Sequence, residues 1–173
     1  TPVYLGSIGF ELSMYGFLFA FMALGLSVTA PFAGRLVDRI GTRYPMFFGI
    51  IGYAIAQSLF AAVSNLYLLI FLRFLAGVSM AFVFPIMIAY ISKVTKVVNR
   101  PKAMSIYAGI GIMFVSIGYK IGGYIEQFID AKYVFYLQGV IMIMIALWSL
   151  SLKNIKLKHV QREKVSWASL DRQ

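Results

Sequence analysis

LSMYGFLFAFMALGLSVTAPFAGRLVDRIGTR, residues 12–43, decides the fold. It carries no charge before Arg35 and then presents Arg35, Asp38, Arg39 and Arg43 in quick succession. A helix needs about 20 mostly apolar residues to cross a hydrocarbon layer about 30 Å thick. A basic cluster closing such a run is how a span stops at the cytoplasmic face. The first run is placed at 12–37, and four more of the same kind follow at 45–64, 66–92, 103–124 and 134–152. None alternates as a membrane strand must, and a bilayer offers backbone groups no solvent partner, so each run is predicted to be a helix. The predicted fold is all-α: a polytopic transmembrane helix bundle of five spans.

Composition agrees and closes off other classes. Hydrophobic residues make up 61% of the chain against 13% charged, with a mean hydropathy of +0.83, which leaves too little charge to cover a water-soluble domain. Cysteine is absent and His159 is the single histidine, so no disulfide scaffold, thiolate site or histidine-based metal centre is available. With no nucleophile–base constellation either, the chain is not read as an enzyme. No catalytic residue, metal or cofactor is expected.

The net charge of +10 does not mark a nucleic-acid partner, because the charge sits in short links between apolar runs and not on one solvated face. Arg35, Arg39 and Arg43 follow the first run; Lys93, Lys96, Arg100 and Lys102 follow the third. Lys153, Lys156, Lys158, Arg162, Lys164 and Arg172 follow the fifth. If the runs alternate, 13 of the 16 basic residues fall on one side. Glu11, Glu126 and Asp130 lie on the other side with Lys132. The positive-inside rule makes the basic side cytoplasmic. Residues 1–11 are thus an extracytoplasmic start, 12–152 the bundle embedded in the lipid bilayer, and 153–173 a basic cytoplasmic linker or tail.

Small residues mark candidate packing faces. Gly16, Ala20, Ala23, Ser27, Ala30 and Gly34 recur at four- and three-residue steps in the first run, and Ala108, Gly111, Gly118 and Gly122 form a similar stripe in the fourth. Such stripes let a neighbouring backbone approach. Pro31 and Pro85 lie inside runs, where each frees a carbonyl four residues earlier, and both are expected to bend their helices.

The link Gly34-Arg35-Leu36-Val37-Asp38-Arg39-Ile40-Gly41-Thr42-Arg43 resembles the signature G-x-L-x-D-R-x-G-R-R that joins the second and third helices of the major facilitator superfamily. Gly34, Leu36, Asp38, Arg39, Gly41 and Arg43 match, and Thr42 stands where the family often has arginine. Arg73-Phe74-Leu75-Ala76-Gly77 resembles the R-x-x-x-G motif of the fourth family helix. Gly118-Tyr119-Lys120-Ile121-Gly122-Gly123 is similar to the fifth-helix motif G-P-x-x-G-G, with Tyr119 in place of the proline. Ser92 and Lys93 occupy the region where an acidic residue often completes a charge relay.

The resemblance implies a partial N-terminal domain, running from the link after family helix one to the central cytoplasmic loop. The first helix and the C-terminal half are then missing partners. It further implies a secondary active transporter working by alternating access, with small-molecule or drug efflux favoured over uptake. Gly34, Asp38, Arg39, Gly41 and Arg43 form the conformational switch in that reading. Arg73 and Gly77 serve substrate or proton coupling at a cavity, with snorkelling of Arg73 to the headgroups as the alternative. Gly118, Gly122 and Gly123 pack helices. The rival readings are a non-transporting membrane assembly subunit or truncated transporter, a metabolite uptake symporter and a membrane-embedded enzyme.

A cysteine introduced beside Arg43 or Lys96 is expected to resist a membrane-impermeant maleimide in intact cells and to react once the membrane is permeabilised. Labelling from outside would overturn the assigned sidedness.

Overall fold

With no water to satisfy backbone groups inside a bilayer, helical pairing is the only local solution open to a single run. The computed structural model describes residues 12–128 and 131–155, and every regular element among them is helical. They are α1 (Leu12–Ile40), α2 (Arg43–Ala62), α3 (Leu66–Ala81), α4 (Phe84–Val94), α5 (Arg100–Phe128) and α6 (Ala131–Ser149), with one 3₁₀ turn at Val97–Asn99. Among the described residues five stretches are long and apolar enough to cross a membrane, α3 and α4 together making one. The all-α polytopic fold is therefore as read from the sequence.

Local chemistry sets the boundaries. Asn65 caps α3, its side chain accepting from the Tyr67 amide at 3.0 Å, which satisfies one of the donors a helix start leaves over. Pro45 and Pro101 fall in the first turns of α2 and α5, where a missing N–H costs nothing. α2 accordingly begins two residues before its predicted start and α5 three before. Pro31 remains inside an unbroken α1, whereas Pro85 marks a break. The third run divides at Phe82–Val83, whose amides reach back only three residues, to Ser79 at 3.1 Å and Met80 at 3.0 Å, and α4 restarts with Pro85 in its first turn. The last run leaves α-helix at Ser149. It then tightens through i→i−3 bonds as far as Leu152, a common way to finish a helix.

Three apolar layers stack along the bundle. Leu18, Phe60, Ala61, Leu69, Leu72 and Phe135 fill one end. Tyr53, Ala56 and Ala76 form the middle, with Met22 and Met142 against them. Val37, Met46 and Ile86 form the other end, where Leu152 joins. The most extensive contacts pair α1 with α3, α2 with α6, and α2 with α3; α5 touches its neighbours sparsely.

The small-residue stripes do not make these contacts. The buried face of α1 is Leu18, Gly25, Ala33 and Val37, while Gly16, Ala20, Ala23, Ser27 and Gly34 are exposed. Gly118, Gly122 and Gly123 likewise have no described neighbour within 4 Å of where a Cβ would stand. The close approaches fall at other glycines. An added Cβ at Gly25 would strike the Phe74 carbonyl oxygen, and one at Gly77 would strike that of Met22, so two bare backbones touch where α1 crosses α3. Gly49 is tight against the Phe82 side chain and the Ser79 carbonyl, whereas Gly52 and Gly139 face the hydroxyl side chains of Ser79 and Ser58. Even spacing identifies a face, but the crossing point depends on how each helix is rotated.

Overpacking a core typically costs about 1–3 kcal/mol, and a backbone obstacle yields less than a side chain. Gly25→Ala and Gly77→Ala are each expected to lower the thermal unfolding midpoint of the detergent-solubilised protein. Because both act at one crossing, the double variant should fall short of the summed losses; strict additivity would show that the crossing is not shared.

Candidate functional site

Two constellations hold the charged residues singled out in the sequence, one in the bundle interior and one at an end.

The interior constellation is built on Arg73, one turn before Gly77 on α3. Placing arginine at mid-membrane costs roughly 2.5–3.5 kcal/mol on the insertion scale, so its surroundings must offset that. Arg73 is only 3% exposed, which rules out snorkelling. Its Nη1 donates to Gln57 Oε1 at 3.1 Å, and its guanidinium lies over the Phe60 ring, 4.1 Å from the centroid, with Phe19 at 5.9 Å. A desolvated cation over an aromatic face gains up to about 2 kcal/mol. Tyr53 extends the polar cluster, its hydroxyl reaching Gln57 and Gln138. Phe60 in turn packs on Phe135 of α6, ring centroids 5.7 Å apart. Among the described residues Arg73 therefore sits inside a helix interface, and Gly77 is covered by the α1 backbone.

Gln57, Tyr53, Phe60 and Gln138 were not among the sequence candidates. The available signal was polar residues in otherwise apolar runs, at Gln57 and Gln138. Which of them meets Arg73 depends on helix rotation.

The end constellation is the α1–α2 link. Gly41 has φ of +90°, a left-handed conformation that glycine adopts without penalty, and its amide closes the last turn of α1 on Val37 O at 2.8 Å. Thr42 is 1% exposed and begins α2. Asp38 is partly buried and Arg39 exposed, so the link offers a carboxylate and guanidinium groups from one short turn. Arg43 is half-buried, and its Nε has no hydrogen-bond partner among the described residues. Gly34 faces open space. Asn154 and Ile155, at the predicted start of the tail, fold back onto this link. The motif around Gly118 lines a cavity of about 360 Å³ between α5 and α6, with Gly122, Leu137 and Gln138 on its walls. No group of His, Cys, Asp or Glu that could hold a metal occurs among the described residues.

The family model described as Major Facilitator Superfamily matches residues 1–171. Multidrug resistance protein 2 of Bacillus subtilis (strain 168) is 32% identical over 155 residues, covering 89% of this chain and 38% of that protein. Multidrug resistance protein 1 of the same organism is 28% identical over 151 residues, covering 87% and 38%. Quinolone resistance protein NorA of Staphylococcus aureus (strain Mu50 / ATCC 700699) is 27% identical over 151 residues, covering 87% and 39%. The chain thus spans under two fifths of the length of these curated relatives.

Removing an acceptor from a buried charged donor costs about 1–3 kcal/mol or more. Gln57→Leu is expected to lower the thermal unfolding midpoint by several degrees, and Gln57→Glu, which restores an acceptor, to recover most of it. Equal losses in both variants would show that Gln57 does not hold Arg73.

Proposed function

We infer the function from one premise: this chain belongs to the Major Facilitator Superfamily. It is a multi-pass, all-helical membrane protein of a family of transporters that act on small molecules, and not of an enzyme family.

We propose that the protein carrying this segment is a secondary active exporter of drug-like small molecules, working by alternating access. The observation that carries the efflux reading is the likeness, over 87–89% of the chain, to proteins named for multidrug and quinolone resistance. In such transporters two helical halves rock about a midplane site, and this chain supplies most of one half.

The parts fit that cycle. The exposed stripe Gly16–Ala20–Ala23–Ser27–Gly34 on α1 offers a surface for the opposing half, and Asp38 lies one turn beyond Gly34. A carboxylate there caps the positive end of an opposing helix, an interaction contributing about 0.3–2 kcal/mol. Arg39 and Arg43 supply donors for carboxylates or lipid phosphates. Arg73 is the coupling residue in this reading: a proton arriving nearby changes the field it feels inside the low-dielectric bundle. Gly118, Gly122 and Gly123 await a close-packed neighbour on α5. The basic end of the bundle faces the cytoplasm, with residues 1–11 outside and 153–173 inside.

Reconstituted in proteoliposomes with an imposed pH gradient, the intact protein is expected to move a quinolone or a lipophilic cation in a gradient-dependent way. Asp38→Asn should lower turnover by about tenfold or more with expression intact, the scale of losing an interaction made only in the cycling states. Arg73→Ala should abolish the pH dependence of flux. Absence of flux under every gradient would point to an assembly subunit instead.

A further inference from the structure

The turn between α1 and α2 is only Gly41 and Thr42, and around it the Ile40 carbonyl and the Thr42 and Arg43 amides fall outside helical pairing. Residues 154 and 155 supply their partners. Asn154 Nδ2 donates to the Ile40 carbonyl at 3.3 Å while its Oδ1 accepts from the Arg43 amide at 3.3 Å. The Thr42 amide donates to Ile155 O at 3.1 Å, and the Ile155 amide donates to Thr42 Oγ1 at 3.3 Å. One amide side chain thus caps the end of α1 and the start of α2 together, a pairing that needs both a donor and an acceptor and that aspartate or alanine cannot supply.

The seat is shaped for it. An added Cβ at Gly41 would collide with the Asn154 amide, so the glycine is needed for the close approach as well as for its positive φ. Leu152, two residues earlier, packs with Val37, Met46 and Ile86 and anchors the segment on the other side. Thr42, the position that departs from the family signature, is the residue whose hydroxyl receives the Ile155 amide.

We propose that Asn154 is a positioning residue for the switch link, fastening residues 40–43 to the exit of α6 so that the two move as one body through the transport cycle. The link is then no flexible loop. Asp38, Arg39 and Arg43 are presented from a fixed backbone, and any motion of α6 reaches them directly. The inference rests on the transporter reading above and assigns that reading a residue outside the signature.

The test uses the intact protein in proteoliposomes. In Asn154→Ala, amide exchange at Thr42 and Arg43 is expected to rise about tenfold, as for local opening of a lost cap. Turnover should fall about fivefold or more with KM within about twofold, the pattern of a lost cycling interaction. Asn154→Asp, which keeps the acceptor but not the donor, should fall between, and covers the case in which the alanine variant does not fold. Adding Thr42→Val to Asn154→Ala should cost little more. A disulfide formed between Thr42→Cys and Ile155→Cys should leave turnover intact and restore it in the Asn154→Ala background, with reduction reversing the rescue. Unchanged amide exchange, wild-type turnover in Asn154→Ala, or arrest by the disulfide would each overturn the proposal. Exchange needs no transport, so an absence of flux from the unaltered protein counts against the transporter reading alone, and the exchange comparison still decides the latch.

Discussion

Contact between two bare helix backbones, α1 at Gly25 and α3 at Gly77, is the constraint on which the rest of this bundle depends. Lipid tails are as apolar as leucine, so no hydrophobic drive gathers helices inside a bilayer, and close van der Waals packing has to do so instead. The crossing brings the first and third spans together along much of their length. It also decides what happens one turn away, because Arg73 is carried under α1 by the same approach that buries Gly77. Phe19 and Phe60 then close over the guanidinium from two helices.

A buried arginine is tolerable only where its surroundings replace water. Here an amide oxygen from α2 and an aromatic face do part of that work, and Tyr53 and Gln138 extend the polar cluster toward α6. Three helices are thereby tied by polar contacts at the level where apolar packing alone would let them slide. The same logic governs the far end of the bundle. There the two-residue turn between α1 and α2 has main-chain groups to satisfy, and Asn154 and Ile155 satisfy them. Both places pair polar groups that burial removes from water.

The outward surfaces follow from the solvent. Many large apolar side chains are exposed, among them Phe32, Phe48, Phe71 and Trp148, which in water would signal aggregation but in lipid are ordinary. None of the described side chains of α5 is buried, and that helix is the least engaged of the six. A helix apolar on every side is suited to burial in lipid or among further helices. The proposed opposing half and first helix are partners of that kind.

Sequence alone determined the number of spans, the helical class, the gathering of basic residues into alternate links and the link motif from Gly34 to Arg43. These are properties of run length and residue type, and a bilayer reads them one segment at a time. The family likeness carried by the motifs belongs with them. Tertiary structure decided which glycines touch, since the regular stripe of α1 points outward and that of α5 borders a cavity, while Gly25 and Gly77 meet. It also decided that Arg73 rests on Gln57 and Phe60, and that Asn154, which looked like the start of a tail, closes the turn at Gly41. Each of these depends on the rotation and crossing of helices distant in the chain. No local pattern of hydropathy records that rotation, because it is set only when two surfaces meet.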